Sequence, residues 1–166
     1  VYVGTGFDGI SYYNDFWELD LATNVWTQKA PFPGEKRSAA VAFTIGNKGY
    51  VTTGRNGSKR FKDTYQYDPI SNSWLQKENF PGTPRSGAVA FTIDNYGFVG
   101  TGYDGFYKND FYRYDQTINN WTIRATFPGV GRHEAVGFSY LQNGFIGLGK
   151  GAFSNKDFYY YDSNNN

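Results

Sequence analysis

Four landmarks recur along this chain at one spacing, and that period restricts the fold more than any other feature. Trp26, Trp74 and Trp121 fall 48 and then 47 residues apart, and Gly6, Gly54, Gly102 and Gly149 fall 48, 48 and 47 apart. Asp15, Asp63, Asp110 and Asp157 keep step, as do Arg37, Arg85 and Arg132. A period near 50, with a glycine-rich strand end and a late Trp in each unit, marks the blade of a β-propeller.

Within a unit, four strand-like runs, a to d from the centre outward, alternate with turn signals. In the unit that opens at Arg37, residues 39–45 are small and apolar, suited to a crowded innermost strand a. The turn Gly46-Asn47-Lys48-Gly49 leads into strand b over 50–54, strand c follows over 64–67, and 73–77, carrying Trp74, is the outer strand d. Asp68-Pro69-Ile70-Ser71-Asn72 between c and d has Asp and Pro at favoured turn positions. Aromatic residues make up 20% of the chain, and Tyr and Phe rings favour a pleated surface. No run reads as a helix of useful length.

These residues resemble the Kelch repeat. Its pattern places an Arg before the first strand, paired glycines at the end of the second, Tyr-Asp at the end of the third and Trp on the fourth. Here Tyr67-Asp68, Tyr114-Asp115 and Tyr161-Asp162 supply the Tyr-Asp, with Leu19-Asp20 in the first unit. The glycine doublet departs from the pattern, as Gly4-Thr5-Gly6, Thr52-Thr53-Gly54, Gly100-Thr101-Gly102 and Gly147-Leu148-Gly149. The Thr-Gly-Xaa-Asp-Gly variant with Phe-Pro-Gly turns resembles galactose oxidase-like Kelch proteins of the bacterial secreted or surface type. That resemblance implies an extracellular or cell-surface location.

The expected fold is all-β: a Kelch-type β-propeller fragment of four-stranded antiparallel blades. About 14 strands are expected, in two full blades and two partial ones. Residues 1–30 read as a partial blade (b-c-d), 37–78 and 85–125 as complete blades, and 132–162 as a partial blade (a-b-c), all in one propeller domain. Closed propellers need about four to eight blades. Met is absent, even at position 1, so the chain is expected to be an arc of a larger ring of six or seven blades, completed by further blades of a longer chain.

Composition narrows the chemistry. Lys+Arg is 16 against Asp+Glu 15, a net charge of +1, and nucleic-acid surfaces need a concentrated basic patch. The short cluster Lys59-Arg60 with Lys62 reads as a solvated turn, and no nucleic-acid partner is expected. Cys is absent, which removes thiolate metal sites and cysteine nucleophiles. No segment has the roughly 18 to 20 apolar residues of a membrane helix, so no membrane insertion is expected. No metal or cofactor is expected either: one Asp per unit does not supply the six to eight oxygen ligands of calcium.

Spacing also directs attention to one face. Arg to Gly is 17 residues in each measurable unit, and Asp to Trp is 11, whereas Gly to Asp runs 9, 9, 8 and 8. The loops between strands b and c, 7–14, 55–62, 103–109 and 150–156, therefore carry the variation, as binding loops on a rigid scaffold do. The candidate ligand-binding residues are Phe7, Asp8, Tyr12 and Tyr13 in the first loop, Arg55 and Asn56 in the second, and Tyr103, Asp104, Phe106 and Tyr107 in the third. Aromatic faces beside Asp and Asn suit sugar rings or peptides, and the alternative is that the rings pack between blades.

A second candidate is the mouth of the central channel, ringed by Arg37, Arg85 and Arg132 with His133 and Glu134. Guanidinium groups there could hold a carboxylate or sulfate; alternatively, each bridges to a backbone carbonyl or an Asp of a neighbouring blade. His133 and Glu134 stand where the other units have Ser-Ala and Ser-Gly. In a strand, neighbouring side chains point to opposite faces, so the two are not expected to act together, and no catalytic residue is assigned. The galactose oxidase resemblance implies a copper site of two His, two Tyr and a Cys-linked Tyr, which one His and no Cys cannot build. The expected function is a non-enzymatic recognition scaffold for a protein or glycan. The alternatives are a carbohydrate-active enzyme of the N-acetylneuraminate epimerase type and a structural spacer.

Overall fold

Successive side chains of a strand point to opposite faces of its sheet, so each unit presents two faces for packing. The computed structural model describes residues 1–162. Blade 1 is β1 (Tyr2–Phe7), β2 (Tyr12–Asp20) and β3 (Val25–Gln28). Blade 2 is β4 (Val41–Ile45), β5 (Lys48–Thr52), β8 (Thr64–Asp68) and β9 (Ser73–Lys77), with a small hairpin, β6 (Arg55–Asn56) and β7 (Lys59–Arg60), in its b–c loop. Blade 3 is β10 (Val89–Ile93), β11 (Tyr96–Gly100), β12 (Phe111–Asp115) and β13 (Asn120–Arg124). Blade 4 is β14 (Val136–Tyr140), β15 (Asn143–Gly147) and β16 (Phe158–Asp162).

Every sheet is an antiparallel meander, ordered β1-β2-β3, β4-β5-β8-β9, β10-β11-β12-β13 and β14-β15-β16. The blades thus hold the expected 14 strands, and the β6–β7 hairpin raises the total to 16. Strand boundaries also differ from the expectation, with b ending at Thr52 rather than 54 and c extending to Asp68. Strand a of blade 2 starts at Val41, because Ala39 is left-handed (φ 51°) and leaves the ladder. The a–b turn is only Gly46-Asn47, since Ile45 already faces Lys48; its first residue has φ 58°, as a two-residue hairpin requires.

Local hydrogen bonds explain the Tyr-Asp and Asn signals. Asp68 and Asp115 open the c–d turns by accepting from the backbone N–H of Ile70 and Thr117, both at 2.9 Å. Asn72 (φ 49°) and Asn119 (φ 48°) close them in the left-handed region. The Tyr67 and Tyr114 hydroxyls donate to these Asn side chains at 2.8 and 2.7 Å. The same Asn then accepts from the preceding blade, Asn72 from Ala30 N–H and Asn119 from Glu78 N–H. The Trp74 and Trp121 indoles donate to the carbonyls of those same two residues, at 2.9 and 3.0 Å. One peptide segment of each outgoing strand is therefore gripped through both its N–H and its C=O.

The core lies between blades. Phe43 and Tyr50 of blade 2 stack on each other and meet Tyr114 and Trp121 of blade 3. One junction later Phe91, Phe98 and Phe111 meet Tyr161 of blade 4, and one junction earlier Phe16 meets Tyr67 and Trp74. Gly97 is required by this packing: a Cβ there would lie 2.2 Å from the Phe43 ring. Trp121, at the junction of blades 2 and 3, is 7% exposed. Trp121→Ala is expected to cost roughly 3 to 5 kcal/mol in denaturant melts. A cost well under about 1 kcal/mol, as at exposed positions, would contradict an inter-blade core.

Candidate functional site

The d–a linkers and b–c loops emerge on one face, tied together by the repeated arginines. Arg37 donates from Nη1 to Thr53 O at 2.9 Å and from Nη2 to Asp63 Oδ2 at 2.8 Å, while Nε–H reaches Glu35 O. Arg85 makes the same set with Thr101 O, Asp110 and Thr83 O, and Arg132 with Leu148 O, Asp157 and Val130 O. Each guanidinium also stacks on the Phe of its Phe-Pro-Gly turn, 4.7, 4.9 and 4.6 Å from the ring centroids of Phe32, Phe80 and Phe127. Gly82 leaves the room for this, since a Cβ there would come within 2.6 Å of Arg85 Nη2.

The channel-mouth reading of Arg37, Arg85 and Arg132 is therefore corrected. All three are 0% exposed, and they turn into their own blades because Asp63, Asp110 and Asp157, at the start of strand c, supply the neutralising charge. The partner is an Asp of the same blade, and what crosses to the neighbouring blade is the main chain. Gly54 N–H donates to Arg85 O at 2.9 Å and Arg85 N–H to Phe61 O at 3.1 Å, with counterparts at Arg37 and Arg132. The Arg132 guanidinium holds the Asp157 carboxyl below its ordinary pKa. With Arg37, Arg85 and Arg132 buried in their own blades, these three do not form the carboxylate-holding ring that motivated the epimerase alternative.

Where the linkers enter strand a, Ala39, Gly87 and Glu134 form a belt instead. Gly87 N–H donates to Ala39 O at 2.9 Å and Glu134 N–H to Gly87 O at 2.8 Å, all three residues having φ between 51° and 62°. Left-handed Glu134 is not in a strand, so the opposite-face expectation for His133 and Glu134 fails. Their side chains approach to 3.7 Å, Nδ1 to Oε1, with the Glu134 carboxylate mostly exposed.

The b–c loops start from a shared bridge and then diverge. Arg55, Tyr103 and Lys150 pair antiparallel with Ser38, Ser86 and His133. In loop 1, Phe7 and Tyr12 stack at 4.5 Å, as a separate pair. Asp8 accepts from Ile10 N–H, Ser11 N–H and the Tyr13 hydroxyl. Led by the Ser11 N–H, these bonds lower its pKa to about 2. In loop 2, Asn56 Nδ2 donates to Lys36 O at 3.0 Å, and Arg55 stays exposed. In loop 3, Tyr103, Tyr107 and His133 form a cluster with centroid separations of 5.2, 5.8 and 5.5 Å, and Phe106 stands 78% exposed beside it.

The structure thus joins His133, offered by the sequence as a channel residue, to the loop-3 rings. Arg60 was missed: its guanidinium carbon lies 4.9 Å from the Tyr103 ring centroid, across the blade boundary. The available signal was a segment, 55–62, with four cations and no carboxylate. A cavity of about 790 Å³ lies elsewhere, lined by β1 and blade 2 and reaching β10 of blade 3 and β14 of blade 4, and none of the expected site residues line it. Among the described residues no cluster of three His, Cys, Asp or Glu could hold a metal ion.

Meander blades, inter-blade rings and an Arg–Asp clamp per unit define a repeat propeller whose loop face is seated on a fixed frame. Residues 1–135 match the KLHDC2/KLHL20/DRC7 Kelch-repeats domain, and the chain belongs to that Kelch-repeat family. Among 161 matching chains of solved structures is the one titled "Structure of YjhT", similar at 20% identity with a TM-score of 0.75. The match covers 90% of this chain and 55% of that one, so the chain spans about half its length. No curated protein matches. Membership of the Kelch-repeat family suggests a protein-binding or scaffold role.

Two tests follow from the clamp and the loop. Arg85→Lys keeps the charge but not the bidentate fork, and is expected to lower stability by roughly 3 kcal/mol in chemical denaturation, as a broken buried pair does; full stability would refute the clamp. Burial pushes the Asp104 carboxyl up, but bonds from Thr83, Lys108 and Phe106 N–H outweigh it and lower the pKa to about 2. A depressed carboxylate pKa stabilises the fold above its unfolded value and is lost as pH falls through the folded one. The loop-3 contacts should therefore hold at neutral pH and loosen between about pH 4 and pH 2. Carboxyl NMR titration of Asp104 reads this directly, and a midpoint near 4 would contradict the contacts.

Proposed function

We propose that this Kelch segment is a non-enzymatic recognition scaffold that captures a protein or a glycan on its b–c loop face, outside the cell or at its surface. One observation carries the reading: exposed rings stand on a frame whose arginines are buried and bonded to carboxylate and carbonyl groups. Phe106 (78% exposed) and the open side of Tyr107 (38% exposed), whose other side meets Tyr103 and His133, offer apolar area to a ligand. Asp104 anchors their loop through Thr83, Lys108 and the Phe106 N–H. A spacer gains nothing from rings held open in this way, and a binder does, because a pre-ordered loop loses little entropy on capture.

The reading is tested by screening the full-length protein against a peptide library and a glycan array, then repeating each hit with Phe106→Ala and Tyr107→Ala. Both variants are expected to melt within about 1 kcal/mol of the parent, as exposed positions do, and to weaken capture at least about tenfold. Hits that bind both variants as tightly as the parent would sink the proposal.

A further inference from the structure

The basic hairpin β6–β7 is left over once the frame and the exposed rings are accounted for. Residues 55–62 carry four cations and no carboxylate, in a chain whose net charge is only +1. Among the described residues one of the four is ion-paired, Lys59 with Glu35, and both of those side chains are more than half exposed. Arg60 is different. It is half-buried against Tyr103, and its Nε–H is covered without an acceptor.

That arrangement leaves a positive charge uncompensated at the edge of an aromatic cluster. The guanidinium face rests on Tyr103, which meets Tyr107 and His133, so the cation of blade 2 is fixed against the rings of blade 3. Two carboxylates of this region are committed elsewhere, Asp104 to Thr83 and Lys108 and Glu35 to Lys59, while Glu134 points mostly into solvent beside His133 and makes no ion pair with Arg60. A guanidinium partly stripped of water gains from a carboxylate more than a solvated lysine does.

We propose that the Arg60–Tyr103–Tyr107–His133 junction, walled by the β6–β7 hairpin, docks an acidic peptide segment that also carries an aromatic or apolar side chain. The inference rests on the loop-face reading above and specifies the partner. A ligand carboxylate pairs with Arg60, and its neighbouring apolar residue lies on Tyr107 and Phe106. A long polyanion fits less well. Such a ligand needs an extended basic track, and here the cations fill one hairpin, flanked by loops that carry Asp8, Asp104 and Glu134.

The test measures fluorescence anisotropy of a labelled short peptide of alternating Glu and Tyr with the full-length protein. The comparators are a Glu-only peptide, an alternating Lys-Tyr peptide, heparin and single-stranded DNA. The Glu-Tyr peptide is expected to bind at least about tenfold more tightly than any comparator, which is about 1.4 kcal/mol. Arg60→Gln and Arg60→Lys should each lose about that factor, since lysine keeps the charge but not the stacked plane. Lys62→Gln, which removes the same charge from the same loop, should lose less than about threefold. No Glu-Tyr binding, equal binding of heparin, DNA or the Glu-only peptide, or equal losses in Arg60→Gln and Lys62→Gln, would overturn the proposal. If screened hits still depend on Tyr107 while the Glu-Tyr peptide fails, only the acidic partner is wrong. If Tyr107→Ala leaves those hits intact, the loop-face reading falls with it.

Discussion

The buried arginine at the head of each blade is the interaction on which the loop face depends. Its guanidinium closes its own blade through the Thr53-type carbonyl and the Asp63-type carboxylate, and its peptide group holds the blade before it. A charge with no exposed surface is tolerable only when its donors are matched with good geometry, and these are: two acceptors on the Asp, two carbonyls and a Phe face. One consequence is that every b–c loop is fixed at both ends. In loop 2, Gly54 is bonded to Arg85 O and Asp63 to Arg37. Length and composition between those two points can then change without moving the blades.

A second set of contacts serves the outer rim and explains the aromatic content. Because the core lies between sheets, each blade is covered only by its neighbours, the situation of repeat architectures in general. The rings of one sheet need a Tyr and a Trp from the next, and the polar ends of those same residues, with an Asn, grip the preceding strand. Trp74 illustrates the economy: its ring packs against Phe16 and Phe32 while its indole N–H satisfies Ala30 O. Removing such a residue takes away packing and a hydrogen bond together.

Most of this frame was legible in the sequence because it is periodic. The landmarks place the strands, and Asp and Asn at their turn positions place the c–d connections. The left-handed residues were not legible. Ala39, Gly87 and Glu134 share a conformation that only hydrogen bonds to neighbouring blades define, and they share no residue type. Thr53 and Thr101 likewise sit at φ 64° and 58°, where β-branched residues are strained, and their hydroxyls are buried without partners. The direction of the arginines was hidden for a related reason. A linker position says where a side chain starts, and the Asp that turns it inward lies about 25 residues further along the chain.

Recurrence and departure from recurrence therefore do different work here. Residues that keep the period, the Arg, Asp, Trp, Tyr and the Phe-Pro-Gly turns, are all consumed by the frame and are mostly inaccessible. Residues that break it converge: His133 replaces a Ser, Tyr103 and Tyr107 occupy a shortened loop, and Arg60 belongs to a hairpin found in one blade. These breaks come from three separate segments, two of them in blades 3 and 4, yet they meet at one junction. A frame that needed only closure would have no use for such a meeting. The convergence is what a binding site grafted onto a repeat scaffold requires, since ligands are not periodic and a site that distinguishes them cannot be either.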